Sequence, residues 1–170
     1  MNPFIITRYG HQINFLKPQV SEVDIRDISH ALSRIVRFNG HTVKPYHVAQ
    51  HVCLCADVAP DDCKREALSH DWAESYVGDC PSPLKSLLPQ YGEIEERLER
   101  IIAKKFHYRY PYPPGVREVD MKLLVTEMRD LTNRTDWKHY PFTPLNIHIE
   151  PWDEEKCRRE FMKRFRKLFS

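Results

Sequence analysis

No hydrophobic run in the 170 residues approaches the roughly 20 needed to cross a bilayer, which argues against a membrane-spanning helix. The first seven residues lack both a basic start and a long apolar stretch, so no secretory signal is expected. An excess of one charge sign is also missing: the formal net charge is +2, and the two signs are mixed along most of the chain. Proteins that bind nucleic-acid polymers usually concentrate basic residues on one face, so no such partner is expected. The one dense basic cluster, Lys156, Arg158, Arg159, Lys163, Arg164, Arg166 and Lys167, reads as the solvated side of an amphipathic last helix. Its alternative is an anionic partner, or a basic wall at the mouth of an oligomer. Repeats and low-complexity segments are lacking too. Five cysteines, an odd number at irregular spacing, make no disulfide framework, and reduced thiols in a cytoplasmic protein fit them.

What is present is an ordinary globular composition, 41% hydrophobic and 29% charged, at a length that supports one domain with a real core. Short β-prone runs at residues 4–6 and 12–15 flank Tyr9-Gly10 and predict a small hairpin. From Asp24, a plausible cap, Ile25, Ile28, Leu32, Ile35 and Val36 recur at helical spacing as far as the Asn39-Gly40 turn. A second helix is expected after Pro45, through Val48, Val52 and Leu54 to residue 58. A third opens at Pro60-Asp61-Asp62, carries Ala67, Leu68 and Trp72, and fades near Gly78. A short helix at 84–88, helices at 93–106 and 116–131, a proline-rich loop at 108–115, an irregular stretch at 134–151 and a last helix capped by Asp153 complete the reading. The expected fold class is all-α, a helical bundle with a small N-terminal β-hairpin. It divides into 1–20 (hairpin), 21–131 (core) and 132–170 (loop and C-terminal helix) of one domain, 1–170.

Nine histidines are more than a helical protein of this size needs. His70-Asp71 falls in the third helix, with Glu74 four residues after His70 and therefore on its face, and Asp79 just beyond the helix end. His51 lies on the preceding helix and Asp120 opens a later one. Packed side by side, these helices can deliver two imidazoles and two carboxylates to one place, a donor set suited to Mn²⁺, Fe²⁺, Co²⁺ or Zn²⁺. Cys53 and Cys55 have the wrong spacing for a zinc knuckle or redox pair and, with Cys63, read as core or helix-surface residues. His47, one turn before His51, is either a contact to the site or a helix-surface histidine.

The stretches Tyr46-His47-Val48-Ala49-Gln50-His51, Leu68-Ser69-His70-Asp71-Trp72-Ala73-Glu74 and Gly78-Asp79-Cys80-Pro81-Ser82-Pro83-Leu84-Lys85 together resemble the HD-domain phosphohydrolases. Within these they are most similar to the bacterial 5′-deoxyribonucleotidases and the phage dATP triphosphohydrolases, and the match covers residues 31–126. The resemblance implies an HD-domain bundle in which His51, His70, Asp71 and Asp120 hold a divalent metal (Zn²⁺, Co²⁺ or Mn²⁺), with Mg²⁺ as an optional second ion. It implies that Glu74 activates the attacking water and that Asp79 contacts the substrate sugar. Arg37-Phe38 resembles the family's arginine-aromatic pair, with Phe38 where the deoxyribonucleotidases carry tryptophan, and His41, His47 and Lys85 are further candidates for substrate binding. The implied substrate is a deoxynucleotide, dATP or dAMP first, and the implied assembly is a homo-oligomer, dimer or hexamer. Another signalling nucleotide, or a non-catalytic metal-containing binding module, is the alternative.

Overall fold

A computed structural model of the chain describes residues 3–170. The expected hairpin is present: β1 (Phe4–Ile6) pairs antiparallel with β2 (Gln12–Asn14), Ile5 opposite Ile13. Gly10 turns between the strands at φ +84°, a conformation that other residues adopt only at a cost. Asp27 ties the hairpin to the helices. Its carboxylate accepts from Thr7 Oγ1 (2.8 Å) and from the Tyr9 N–H (3.0 Å), and lies 2.6 Å from His11 Nδ1.

Asp24 does cap α1 (Ile25–Leu32), accepting from the Arg26 N–H at 2.7 Å. The helix ends earlier than its apolar spacing suggests. Val36 is extended and bridged to His47, because another segment takes the backbone groups on either side of it: the Arg37 N–H donates to Tyr46 O (2.8 Å), and the Val48 N–H donates to Ile35 O (3.0 Å). A tight turn over Arg37–Gly40 follows, with Phe38 and Asn39 at φ +55° and +50°. Non-glycine residues rarely hold such angles unless their surroundings impose them.

Next come α2 (Val48–Val58), a 3₁₀ turn (Asp61–Cys63) and α3 (Lys64–Ser69). The third helix does not run on to Gly78 as expected. Past Ser69 its bonds tighten to i→i−3, with Trp72 N–H on Ser69 O and Glu74 N–H on Asp71 O, before α4 (Glu74–Val77) ends at Gly78. The short helix α5 spans Ser82–Lys85, earlier than expected. Both α6 (Pro89–Phe106) and α7 (Pro114–Leu131) begin ahead of their expected starts, each with proline in a first turn that has no use for its missing N–H. A 3₁₀ turn (Asp136–His139) interrupts the irregular stretch, and α8 (Glu154–Phe169) is capped by Asp153 as expected.

The fold is therefore all-α with a small hairpin, and α2 lies at its centre against α1, α3, α7 and α8. Trp72, fully buried, is ringed by Phe106, Tyr108, Phe161, Phe165 and Phe169 at centroid distances of 5.1–6.0 Å. Three of these rings come from one stripe of α8 at i, i+4 spacing. Residues of the hairpin and of the last helix, Ile13 and Phe161, share this core with Trp72. Phe161→Ala is expected to cost about 3–5 kcal/mol, the usual range for emptying a buried aromatic site, measurable by denaturant unfolding. No helix of the described residues is long and apolar enough to cross a membrane.

Half-buried Glu99 on α6 accepts from Tyr110 Oη at 2.8 Å. Burial outweighs that hydrogen bond and, with Glu95 and Asp71 adding repulsion, pushes the carboxyl up to about 7. A carboxyl whose folded pKa exceeds its unfolded value near 4.5 resists ionising in the fold, so its contribution falls as pH rises from there through 7. Glu99→Gln should therefore match the parent's stability near pH 4 and exceed it above pH 7, in unfolding curves recorded across that window.

Candidate metal centre

Three stretches of chain converge behind one cavity. Helix α2 presents His51 and, one turn later, Cys55; the tightened turn between α3 and α4 presents His70 and Asp71; the first half of α7 presents Asp120. His51 Nε2 lies 3.2 Å from His70 Nε2, 3.2 Å from Asp120 Oδ1, 3.5 Å from Asp71 Oδ2 and 3.6 Å from Cys55 Sγ. His70 Nε2 lies 3.4 Å from Asp71 Oδ1 and 3.8 Å from Asp120 Oδ1. One donor atom from each of His51, Cys55, His70 and Asp120 lies within 4.8 Å of all the others. This buried group could bind a metal ion. Three of the four ligands expected from the sequence fall in this group, and Cys55, read there as a core or surface residue, joins them; the fourth, Asp71, stands outside it but approaches both imidazoles.

Both imidazoles are held from behind, which leaves their Nε2 atoms facing the group. His70 Nδ1 is 2.9 Å from Ala67 O, and His51 Nδ1 is 2.6 Å from Glu127 Oε1. Glu127 is fully buried, accepts from Tyr46 Oη (2.9 Å), and pairs through Oε2 with Arg37 Nε (3.2 Å). Arg37 reaches on with Nη1 to Asp71 Oδ2 at 3.4 Å. A carboxylate behind a ligating histidine fixes ring orientation and tautomer.

The cavity measures about 590 Å³, within the range of small-molecule sites. Arg37, Phe38, His41, Asp71, Glu74, Asp79, Lys85 and Asp120 line it, with Leu124 and Met128 adding apolar surface. The i→i−3 geometry changes which residues share a face: at three residues per turn, Asp71 and Glu74 eclipse one another, and both face the cavity. Lys85 is already engaged, with Nζ 2.7 and 2.8 Å from the two Glu95 oxygens.

The chain is 40% identical over 128 residues to the uncharacterized Escherichia coli (strain K12) protein YfdR, across 75% of this chain and 72% of that protein. The chain belongs to the YfdR family. An uncharacterized Rhodobacter capsulatus protein is 29% identical over 107 residues, 57% of this chain and 55% of its own length. No family model matches the chain.

In this YfdR-family protein the charges around the cavity pull against one another. Burial, then Asp71 and Asp79, holds the Glu74 carboxyl well above the ordinary carboxylate range despite Arg37 and Lys85. Its Oε2 is buried with no hydrogen-bond partner among the described residues. Burial likewise raises Asp79 and pushes the Cys55 thiol up to about 11. Asp120 goes the other way: burial opposes its charge, but hydrogen bonds from His51 and His70 hold it well below the ordinary range.

Two further features differ from the sequence reading. His47 is not a cavity residue. It is the extended residue preceding α2, so helical spacing to His51 does not govern it, and its buried ring points Nδ1 at Cys157 Sγ, 3.7 Å away. Glu127, by contrast, was missed, although it stands seven residues after Asp120, two turns along the same face of α7. Glu127→Gln keeps an acceptor for His51 but removes the charge that faces Arg37. Zn²⁺ affinity, read by competition with a chromophoric chelator, should fall about 10-fold or more while the fold persists.

Proposed function

We propose that this protein is a metal-dependent phosphohydrolase of the HD-domain type that removes the 5′-phosphate or 5′-triphosphate from deoxynucleotides, dAMP or dATP first, to give the deoxynucleoside. The observation that carries this reading is the convergence of His51 and His70 on Asp71 and Asp120, two carboxylates that line a ligand-sized cavity also lined by Glu74, one of whose oxygens is buried and unpartnered among the described residues. A divalent ion, when bound, supplies Lewis acidity that makes water a competent nucleophile near neutral pH.

The chain's own residues supply the rest. Glu74, whose proton affinity is raised by burial, accepts a proton from the attacking water. Arg37, kept cationic by Glu127, Asp71 and Asp120 against the cost of burial, offsets charge on the phosphoryl oxygens. Asp79 accepts from a sugar hydroxyl, while Phe38, Leu124 and Met128 offer apolar surface to the nucleoside. Water adds to phosphorus, the P–O5′ bond breaks, and the departing oxygen takes a proton. We expect a homo-oligomer, dimer or hexamer, acting in the cytoplasm.

A structural metal module has no use for an unpartnered carboxylate beside its ligands, which favours an enzyme. The test is release of phosphate against tripolyphosphate from a panel of dNMPs and dNTPs with Zn²⁺, Co²⁺ or Mn²⁺. Turnover of a deoxynucleotide supports the proposal. Turnover of other nucleotides alone redirects it to a signalling nucleotide, and metal binding without any turnover leaves a binding module.

A further inference from the structure

We propose that Cys55 is itself a metal ligand, and that its sulfur biases the centre toward thiophilic divalent ions such as Zn²⁺ and Co²⁺ over Mg²⁺ and Mn²⁺. The inference rests on the reading that the His51–His70–Asp120 group holds a metal, and adds a donor to it. Cys55 follows His51 by four residues on α2, which places both side chains on one face. Its Sγ lies 3.6 Å from His51 Nε2 and within 4.8 Å of donor atoms of His70 and Asp120. Ion–nitrogen distances of about 2.0 Å and ion–sulfur distances of about 2.3 Å at tetrahedral angles separate neighbouring donors by roughly 3.3–3.6 Å. The 3.2 Å between the two imidazole nitrogens and the 3.6 Å from nitrogen to sulfur fit that pattern.

Cys157 Sγ also lies near an imidazole nitrogen, 3.7 Å from His47 Nδ1, but that pair joins no larger group of donors among the described residues, whereas the nitrogen beside the Cys55 sulfur also faces His70 and Asp120. Cys53 and Cys63, equally buried, make no such approach to the histidines among the described residues. The donors within mutual reach are two imidazole nitrogens, one carboxylate and one sulfur, four as a tetrahedral site takes, and Asp71 adds a second carboxylate beside the imidazoles. The carboxylates suit hard ions and the sulfur does not, so selectivity follows from Cys55. On binding, the thiol proton is released to solvent and the sulfur lone pair forms the bond to the ion.

The test loads the full-length protein with Co²⁺ and records its absorption spectrum. The parent should show a thiolate-to-cobalt charge-transfer band in the near ultraviolet. Cys55→Ser should lose that band while keeping the visible cobalt bands, and Cys53→Ser should keep both. Stoichiometric cobalt in the parent without the charge-transfer band overturns the role of Cys55 and leaves the metal centre standing, as does a band that survives in Cys55→Ser. Failure of the parent to take up cobalt overturns the centre and this inference together. Should Cys55→Ser fail to fold, X-ray absorption of the zinc-loaded parent decides alone. A sulfur at about 2.3 Å is expected, and a shell of nitrogen and oxygen only is the overturning result.

Discussion

Asp120→Ala is expected to strip the centre of its ion and reduce deoxynucleotide turnover to background while the fold persists. Asp120 Oδ1 is the carboxylate oxygen nearest His51 Nε2, at 3.2 Å, and it also faces His70 Nε2. Its side chain remains one-third exposed and comes from the first half of α7, a helix anchored by Val116, Val119 and Leu123. Truncation therefore empties no core site. It removes the negative charge that makes room for a dication between two imidazoles, so the loss of affinity should exceed the roughly 10–100-fold typical of a residue that only orients a ligand. Chelator competition measures the affinity, and far-ultraviolet circular dichroism checks the fold. Unchanged Zn²⁺ affinity in a folded variant would show that Asp120 does not ligate.

How much of this was legible in the sequence depends on whether the deciding interaction is local. The caps at Asp24 and Asp153 and the hairpin around Gly10 are short-range features, and they are where the sequence puts them. The end of α1 is not local. Ile35 and Val36 keep helical spacing, yet the backbone of residues 46–48 claims the Ile35 carbonyl and the Arg37 N–H from beyond the Phe38-Asn39 turn. The break after Ser69 is hidden for a similar reason: Ala67, Leu68 and Trp72 are all buried, so apolar periodicity continues through a change from i→i−4 to i→i−3 bonding.

The site divides in the same way. The candidate ligands His51, His70, Asp71 and Asp120 were found as a combination spread over seventy residues. Cys55 and Glu127 were not, because each has a commoner role, cysteine as a small apolar filler and glutamate as the solvated side of a charged helix. Only the fold shows Glu127 at zero exposure, shared among His51, Tyr46 and Arg37. Its seven-residue offset from Asp120 was the available signal.

Glu74→Gln should leave the ion in place and lower turnover about 100-fold or more, the scale of a lost general base. Glu74 comes from the turn that presents Asp71, but, unlike Asp71 and Asp120, its carboxylate pairs with neither His51 nor His70 among the described residues. Its Oε2 is buried without a partner beside the cavity, and Asp71 and Asp79 add to burial in raising its affinity for a proton. The amide occupies nearly the same volume and cannot take a proton from water, so substrate affinity should change little and the loss should fall on kcat. Stability separates this role from a packing role. A carboxyl held above its ordinary range costs the fold free energy once ionised, so in the metal-free protein the glutamine variant should be at least as stable as the parent at neutral pH. A variant that is less active and also less stable would place Glu74 in the architecture instead, and one that turns over at the parental rate would remove it from the reaction.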